Sequence, residues 1–372
     1  MGSAPPLVGG RLLIVFLDDG RLLVSTSVLL LLSAIVGVYI LCVVGAAVTF
    51  FRAQHLADAP DGVESPFVSV VVPVRSSDAP LGNLLDTLRA SDYPANRYEV
   101  LVVSPDETVR PLLDRSTSSN GDHEPSLHLV ETGSRTPPDA KSEYIADQAS
   151  GDVLVTLPPE ASLSPNWLPT VAAHAPPRAI RLAPPVTYAH NDRFLPRLQA
   201  LEQIGQTAAR VGIQNARHSP SKRAPAGLSR AAEAAPASVA STAAPEAQVH
   251  RPPPAATLGQ YVETTAERFL DAFRHSGPIQ KFAAALYWLT HTSLLVAGAM
   301  AVALPAWRQP VLLAFLAKMG GDLILAVPAA RHFGQRGLLR SIVPTELFLV
   351  LAVPAGGLLG AWTRLRDYIW SD

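Results

Sequence analysis

The chain has 372 residues, 48% of them hydrophobic and 16% charged, against roughly 25% charged in an ordinary soluble domain. That balance fits one soluble domain together with membrane-spanning helices, and a net charge of -1 excludes the electrostatic footprint of a nucleic-acid binder. The single cysteine, Cys42, excludes an internal disulfide and a CxxC metal site, and its apolar neighbours predict a buried thiol.

After an N-terminal segment (1–21), Leu22–Phe51 runs for 30 residues without a charge. About 20 apolar residues suffice to cross a bilayer. The run is too long for a signal h-region, and Arg11, Asp18, Asp19 and Arg21 give no positive flank, so 22–51 reads as a retained transmembrane anchor.

The soluble portion opens with Phe67–Val72, a β-branched run ended by Pro73 and read as a buried parallel strand. Leu81, Leu84, Leu85 and Leu88 fall at helical spacing, and Asp92-Tyr93-Pro94 breaks that helix. Tyr98–Val103, Leu127–Val130 and Asp152–Leu157 read as further strands, with a helix over Ser142–Ala149. Strands alternating with helices predict an α/β parallel sheet. Ligands of such sheets bind beyond the carboxyl ends of the strands, which points to 73–78, 104–108 and 158–162. Leu195, Leu198, Leu201, Ile204, Ala208 and Val211 predict one amphipathic helix. The Ala/Pro/Ser-rich stretch 216–258 has little apolar surface to bury, and disorder is the expectation. Tyr261, Phe269, Leu270 and Phe273 predict an interfacial helix over 259–281.

Three transmembrane helices are expected in 282–362, at Phe282–Leu304, Pro310–Ala330 and Ile342–Trp362, before a tail at 363–372. The connection 331–340 holds Arg331, Arg336 and Arg340 and no acid, so the positive-inside bias places it in the cytoplasm. Two spans earlier, the soluble domain then faces the cytoplasm too. Arg364 and Arg366 would lie outside, unless the tail is interfacial or the last helix re-enters. Lys318 and Asp322, four apart on an apolar helix, predict an intramembrane pair. Such a pair either neutralises itself structurally or lines a path for a lipid substrate.

Several words occur in a characteristic order: VVVPVRSSDAPLGNLLDTLRASDYP with Pro73, Arg75, Leu81, Leu84, Leu85, Asp92, Tyr93 and Pro94; YEVLVVSPDET; Lys141 followed by ASGDVLVTL with Gly151 and Asp152; and LSPNWL. Together they resemble a membrane-bound, processive-type family 2 glycosyltransferase, closely over Pro66–Trp167 and loosely over Phe282–Trp362. The resemblance implies a GT-A-like (Rossmann-like) mixed-sheet domain at 66–215, between one N-terminal and about three C-terminal transmembrane helices. It implies hexosyl-type transfer from a nucleotide-sugar donor to a lipid or polysaccharide acceptor at the cytoplasmic (inner) membrane. Pro73, Arg75, Asp106 and Lys141 take the donor-binding positions, and a divalent Mg²⁺ or Mn²⁺ bridges the diphosphate. The family's Asp-x-Asp is Pro158-Pro159-Glu160 here, leaving Glu160 as the remaining metal ligand and a weakened metal site. Its acidic pair is Ser104-Pro105, its Asn-Glu is Ser76-Ser77, and its Gln-x-x-Arg-Trp word is absent. No catalytic residue is identified. The alternative is a catalytically degenerate glycosyltransferase-like membrane protein, acting as a binding or scaffold module.

Overall fold

The computed structural model describes residues 9–55, 66–74, 80–104, 126–131, 144–145, 147–173, 181–217, 239–241, 247–275 and 277–369. The chain forms two compact units: Val44–Ala256 with Ile324–Ile342, and Met1–Val43 with Thr257–Leu323 and Val343–Asp372. Helix α1 (Gly9–His55) contributes to both.

The first unit is built on β1 (Val68–Pro73), α2 (Leu81–Arg89), β2 (Tyr98–Ser104), β3 (Ser126–Glu131), β4 (Val153–Thr156), α3 (Trp167–Ala173), β5 (Arg181–Ala183), β6 (Val186–Tyr188), α4 (Phe194–Arg217), β7 (Val239–Ser241) and β8 (Val249–Arg251). Six strands form one parallel sheet in the order β3-β2-β1-β4-β5-β7, and β6 pairs with β8 in a second. Among the described residues, the mixed character expected from the sequence is confined to one antiparallel bridge, Ser162–His250.

The near-continuous Val/Leu runs follow from burial on both faces, as parallel sheets require. Alternate residues feed two cores. Val68, Val70, Val72, Val100, Val102 and Val155 join Leu81, Leu84, Leu85, Leu88 and Trp167 on one side. Val71, Leu101, Val103, Val130 and Leu154 pack on the other.

At the amino edge, buried Glu99 accepts hydrogen bonds from Ser69 Oγ (2.5 Å) and the Ser150 amide (2.7 Å), and Ser69 Oγ accepts from the Gly151 amide at 2.8 Å. A Cβ on Gly151 would lie 2.6 Å from Ser69 N, which is backbone and cannot swing away. Gly151→Ala is therefore expected to cost about 1–3 kcal/mol, the usual range for overpacking, read as a lowered unfolding temperature.

Two expectations need correction. Within 216–258, residues 239–241 and 249–251 are strands, and Ala247 and Val249 lie in the main core. A few apolar side chains placed against Trp167 are enough to order a segment of poor overall composition. Residues 218–238 and 242–246 lie outside the described residues. Cys42 is exposed rather than buried, because it occupies an outward face of α1.

Helix α4 buries Leu198, Leu201, Ile204, Ala208 and Val211, the stripe its spacing predicts. Arg197 Nη2 donates to the Gly337 carbonyl at 3.1 Å, tying α4 to the turn Arg336–Ser341. Phe50, fully buried near the end of α1, packs on the rings of His332 and Phe333 at 5.6 and 6.0 Å.

The second unit holds α5 (Leu258–His275), α6 (Pro278–Ala303), α7 (Arg308–His332, to Leu323) and α8 (Ile342–Ile369, from Val343), with α1 up to Val43. Four helical stretches are long and apolar enough to cross a membrane: Thr26–Ala53, Pro278–Ala303, Pro305–His332 and Arg336–Arg366. They correspond to the four apolar runs of the sequence, and Leu30, Leu41, Val302, Leu358 and Trp362 stay exposed on them. Large exposed apolar side chains in this number are what a lipid-facing surface presents.

The amphipathic helix expected over 259–281 ends at His275, where α6 starts anew at Pro278. It lies along α8, with Tyr261 and Phe348 rings 5.6 Å apart. The small residues of α8 allow this approach: a Cβ on Gly356 would lie 2.8 Å from Thr265 Cγ2.

Candidate functional site

From β1 the chain winds outward through β2 and β3, then returns to place β4 and β5 on the opposite flank of β1. The strand order thus reverses between β1 and β4, and open α/β sheets bind ligands in the crevice beyond the carboxyl ends at such a point.

Pro73 ends β1 beside Val103, and the Val74 amide donates to the Val103 carbonyl at 2.8 Å. Leu157 N donates to Val71 O at 2.8 Å, so β4 leaves the sheet one step later and enters the turn 158–161, closed by Ala161 N to Pro158 O at 3.0 Å. Two prolines in succession stiffen this turn and hold Glu160 at its tip. Ser162 then exchanges backbone hydrogen bonds with His250 at 2.9 and 3.1 Å.

That exchange brings in Arg251, which forms an ion pair with Glu160. The two side chains are 35% and 25% exposed, so the pair is accessible from solvent. Arg251 Nε is buried without a hydrogen-bond partner among the described residues. The strand carrying Arg251 is pinned along its length: Trp167 Nε1 donates to Ala247 O (2.9 Å), Val249 N to Pro185 O (2.8 Å) and Ala189 N to Arg251 O (2.7 Å).

Next to Arg251, His250 Nδ1 lies 2.9 Å from Thr187 Oγ1, and burial pushes the imidazole below its usual pKa. A histidine whose folded pKa is depressed contributes stability that is present above its unfolded value, about 6.5, and lost as the pH falls through the window below it. Unfolding temperature is therefore expected to drop as the pH is lowered from 7 toward 5, and His250→Gln should flatten that dependence. An unchanged slope in the variant would locate the acid sensitivity elsewhere.

Of the residues singled out in the sequence, Pro73 and Glu160 lie at this carboxyl edge, while Arg75, Asp106 and Lys141 lie outside the described residues. Asp152 sits at the other end of the sheet, where it accepts the Phe67 amide at 3.0 Å, so it cannot join Glu160. Arg251 was hidden from sequence reasoning in an Ala/Pro/Ser-rich stretch; its one signal is the short VHR run before three prolines.

Among the described residues, the donor set does not fit a divalent metal. Proline offers no side-chain oxygen, Glu160 is engaged by a guanidinium, and no three His, Cys, Asp or Glu side chains are grouped for a metal among the described residues.

In the second unit, Lys318 Nζ lies 2.8 Å from Asp322 Oδ2 and also hydrogen-bonds Glu346. Tyr39 donates to Asp322 Oδ1 at 2.7 Å, and Lys318 Nζ stands 5.8 Å from the centre of the Tyr39 ring. The pair read from the sequence is thus part of a four-residue cluster from α1, α7 and α8. Chemically it is one cation shared by two carboxylates, which ties three helices together.

No family model matches the chain, and no curated protein matches it. Among solved structures, the mannosyltransferase PcManGT from Pyrobaculum calidifontis, in complex with GDP-Man and Mn2+, is 19% identical with a TM-score of 0.41, covering 85% of this chain and 99% of that one. S. aureus TarS 1-349 is 13% identical with a TM-score of 0.32, covering 82% and 92%. Likenesses of this size do not place the chain in a family.

Proposed function

We propose that the chain is a membrane-anchored glycosyltransferase, moving a sugar of hexosyl type from a nucleotide-sugar donor to an acceptor at the cytoplasmic face of the inner membrane. The observation that carries this reading is the topological switch point between β1 and β4, where the strand order reverses. The sequence words that resemble family 2 glycosyltransferases end beside it, at Pro73, Ser104 and Pro158–Glu160.

Transfer breaks the bond between the sugar's anomeric carbon and the diphosphate oxygen, so the donor site must steady the charge left on the nucleoside diphosphate. Arg75 and Lys141 supply charge-assisted hydrogen bonds to that diphosphate, and Asp106 accepts from the nucleoside. Pro73 turns the chain so that Arg75 follows the end of β1. A divalent Mg²⁺ or Mn²⁺ has one candidate ligand in Glu160, already paired with Arg251, so no step is assigned to a metal. A lipid or polysaccharide acceptor fits a transferase held at the bilayer by apolar helices.

Cytoplasmic placement is supported by Arg331, Arg336 and Arg340, and by the Arg197–Gly337 hydrogen bond between α4 and their connection. Reporters inserted at 116–119 and at 331–340 are expected on the same, cytoplasmic, side; opposite sides would discard this topology.

The second reading, a binding or scaffold module, is favoured by one specific feature: prolines and a serine stand where the resembled family has acidic residues. Product formation separates the two. The protein, purified in lipid nanodiscs, is incubated with UDP- and GDP-sugars and lipid extract, and free nucleoside diphosphate and glycosylated product are measured. A transferase releases both above the level of an Arg75→Ala, Lys141→Ala double variant. Donor binding without product would leave the module.

A further inference from the structure

We infer that the Arg251 guanidinium, held on Glu160, receives the donor's diphosphate in the place a divalent metal would otherwise take; this rests on the donor-binding reading above. The position is the first argument. Glu160 occupies the turn after β4 at the switch point, and the cation found on its carboxylate is Arg251. A metal arriving there would have to displace a guanidinium and then find its other ligands beside Pro158 and Pro159, which have no side-chain oxygen to give.

Chemistry is the second argument. A guanidinium is always charged and presents five N–H donors in a planar fork that matches phosphate oxygens two at a time. Glu160 engages Nη2 of that fork, and Nε is buried without a partner among the described residues. A diphosphate oxygen reaches this side chain, 35% exposed, through the outer edge of the guanidinium, beyond the contact with Glu160, and not through the buried Nε.

Preorganisation is the third argument. The hydrogen bonds from Trp167, Val249 and Ala189, with the Ser162–His250 exchange, fix the backbone leading up to Arg251 and at Arg251 itself before any ligand arrives. A cation held in place in this way loses little entropy on binding. Glu160 is then a positioning residue that aims the guanidinium, not a metal ligand, and the two roles predict opposite results.

The test is calorimetric titration of UDP and GDP into the full-length protein in nanodiscs, with Mn²⁺ and with EDTA. It compares wild type with Arg251→Ala, Arg251→Lys and Glu160→Gln, each first checked for an unchanged melting curve. Binding by the wild type is expected to be the same in Mn²⁺ and EDTA. Arg251→Ala should weaken it about thirtyfold or more in both, the scale of losing one partner of a close charge pair. Arg251→Lys should keep part of the affinity, and Glu160→Gln should keep most of it, since a competitor for the guanidinium is removed while a hydrogen-bond acceptor remains. Binding that requires Mn²⁺, fails in Glu160→Gln and ignores Arg251→Ala would overturn this inference while leaving the donor site standing. A wild type that binds neither nucleotide would overturn the donor reading and this inference together.

Discussion

Lys318→Met is expected to lose about 3–5 kcal/mol of stability, the range for removing one partner from a buried ion pair. Lys318 is 1% exposed on an apolar helix, between Asp322 one turn along α7 and Glu346 on α8. Without it two carboxylates remain in surroundings that cannot hydrate them. The loss should exceed the average of about 0.6 kcal/mol measured for interhelical hydrogen bonds in membranes, because a charge is orphaned rather than a neutral donor. Asp322→Asn and Glu346→Gln added to Lys318→Met should restore most of the stability, since the orphaned charges go with the cation. Tyr39→Phe removes one hydrogen bond to Asp322 and should cost less, about 0.5–1.5 kcal/mol. Thermal unfolding in nanodiscs reads all four proteins. A Lys318→Met variant as stable as wild type, or a triple variant no better than the single, would show that the charges do not meet.

The second large effect is expected at Trp167. It is 1% exposed at the centre of the main core, so Trp167→Ala should cost about 3–5 kcal/mol, the usual range for truncating a buried aromatic. It should also affect binding, because the indole N–H holds the Ala247 carbonyl at the base of the strand that carries Arg251. Trp167→Phe separates the two contributions. It keeps most of the ring and loses one hydrogen bond, about 0.5–1.5 kcal/mol, and should weaken nucleotide binding more than that small loss implies. Unchanged affinity in Trp167→Phe would mean that Arg251 is held by the strand pairing alone.

How much of this was legible in the sequence depended on the length of each signal. The strands at 68–73, 98–104 and 153–156 are valine-rich runs closed by Pro73, Ser104-Pro105 and Pro158-Pro159, and 126–131 is a short apolar alternation between polar stretches; each was visible. The strands at 181–183, 186–188, 239–241 and 249–251 have three residues each, too few for any periodicity to register. They form because tertiary contacts such as Trp167 to Ala247 supply what local composition lacks. The same reason concealed Arg251, whose meaning comes entirely from its partner 91 positions earlier. Lys318 and Asp322 were legible together because a helix places i and i+4 on one face. Glu346 and Tyr39 were not, since 28 positions separate Glu346 from Lys318, and 283 separate Tyr39 from Asp322. The carboxyl edge of the sheet was legible as a location, whereas the Glu160–Arg251 pair was only half visible, through Glu160 alone.

Photolabelling tests the central claim, that a nucleotide-sugar donor sits at the β1/β4 switch point, most directly. An azido nucleoside diphosphate sugar is bound to the full-length protein in nanodiscs, irradiated, and the labelled peptides are identified by mass spectrometry. Label in the peptides containing 73–79, 104–110 and 157–162, suppressed by excess unlabelled nucleoside diphosphate, is the predicted result. Suppressible label confined to the apolar helices, or no suppressible label anywhere, would contradict the account.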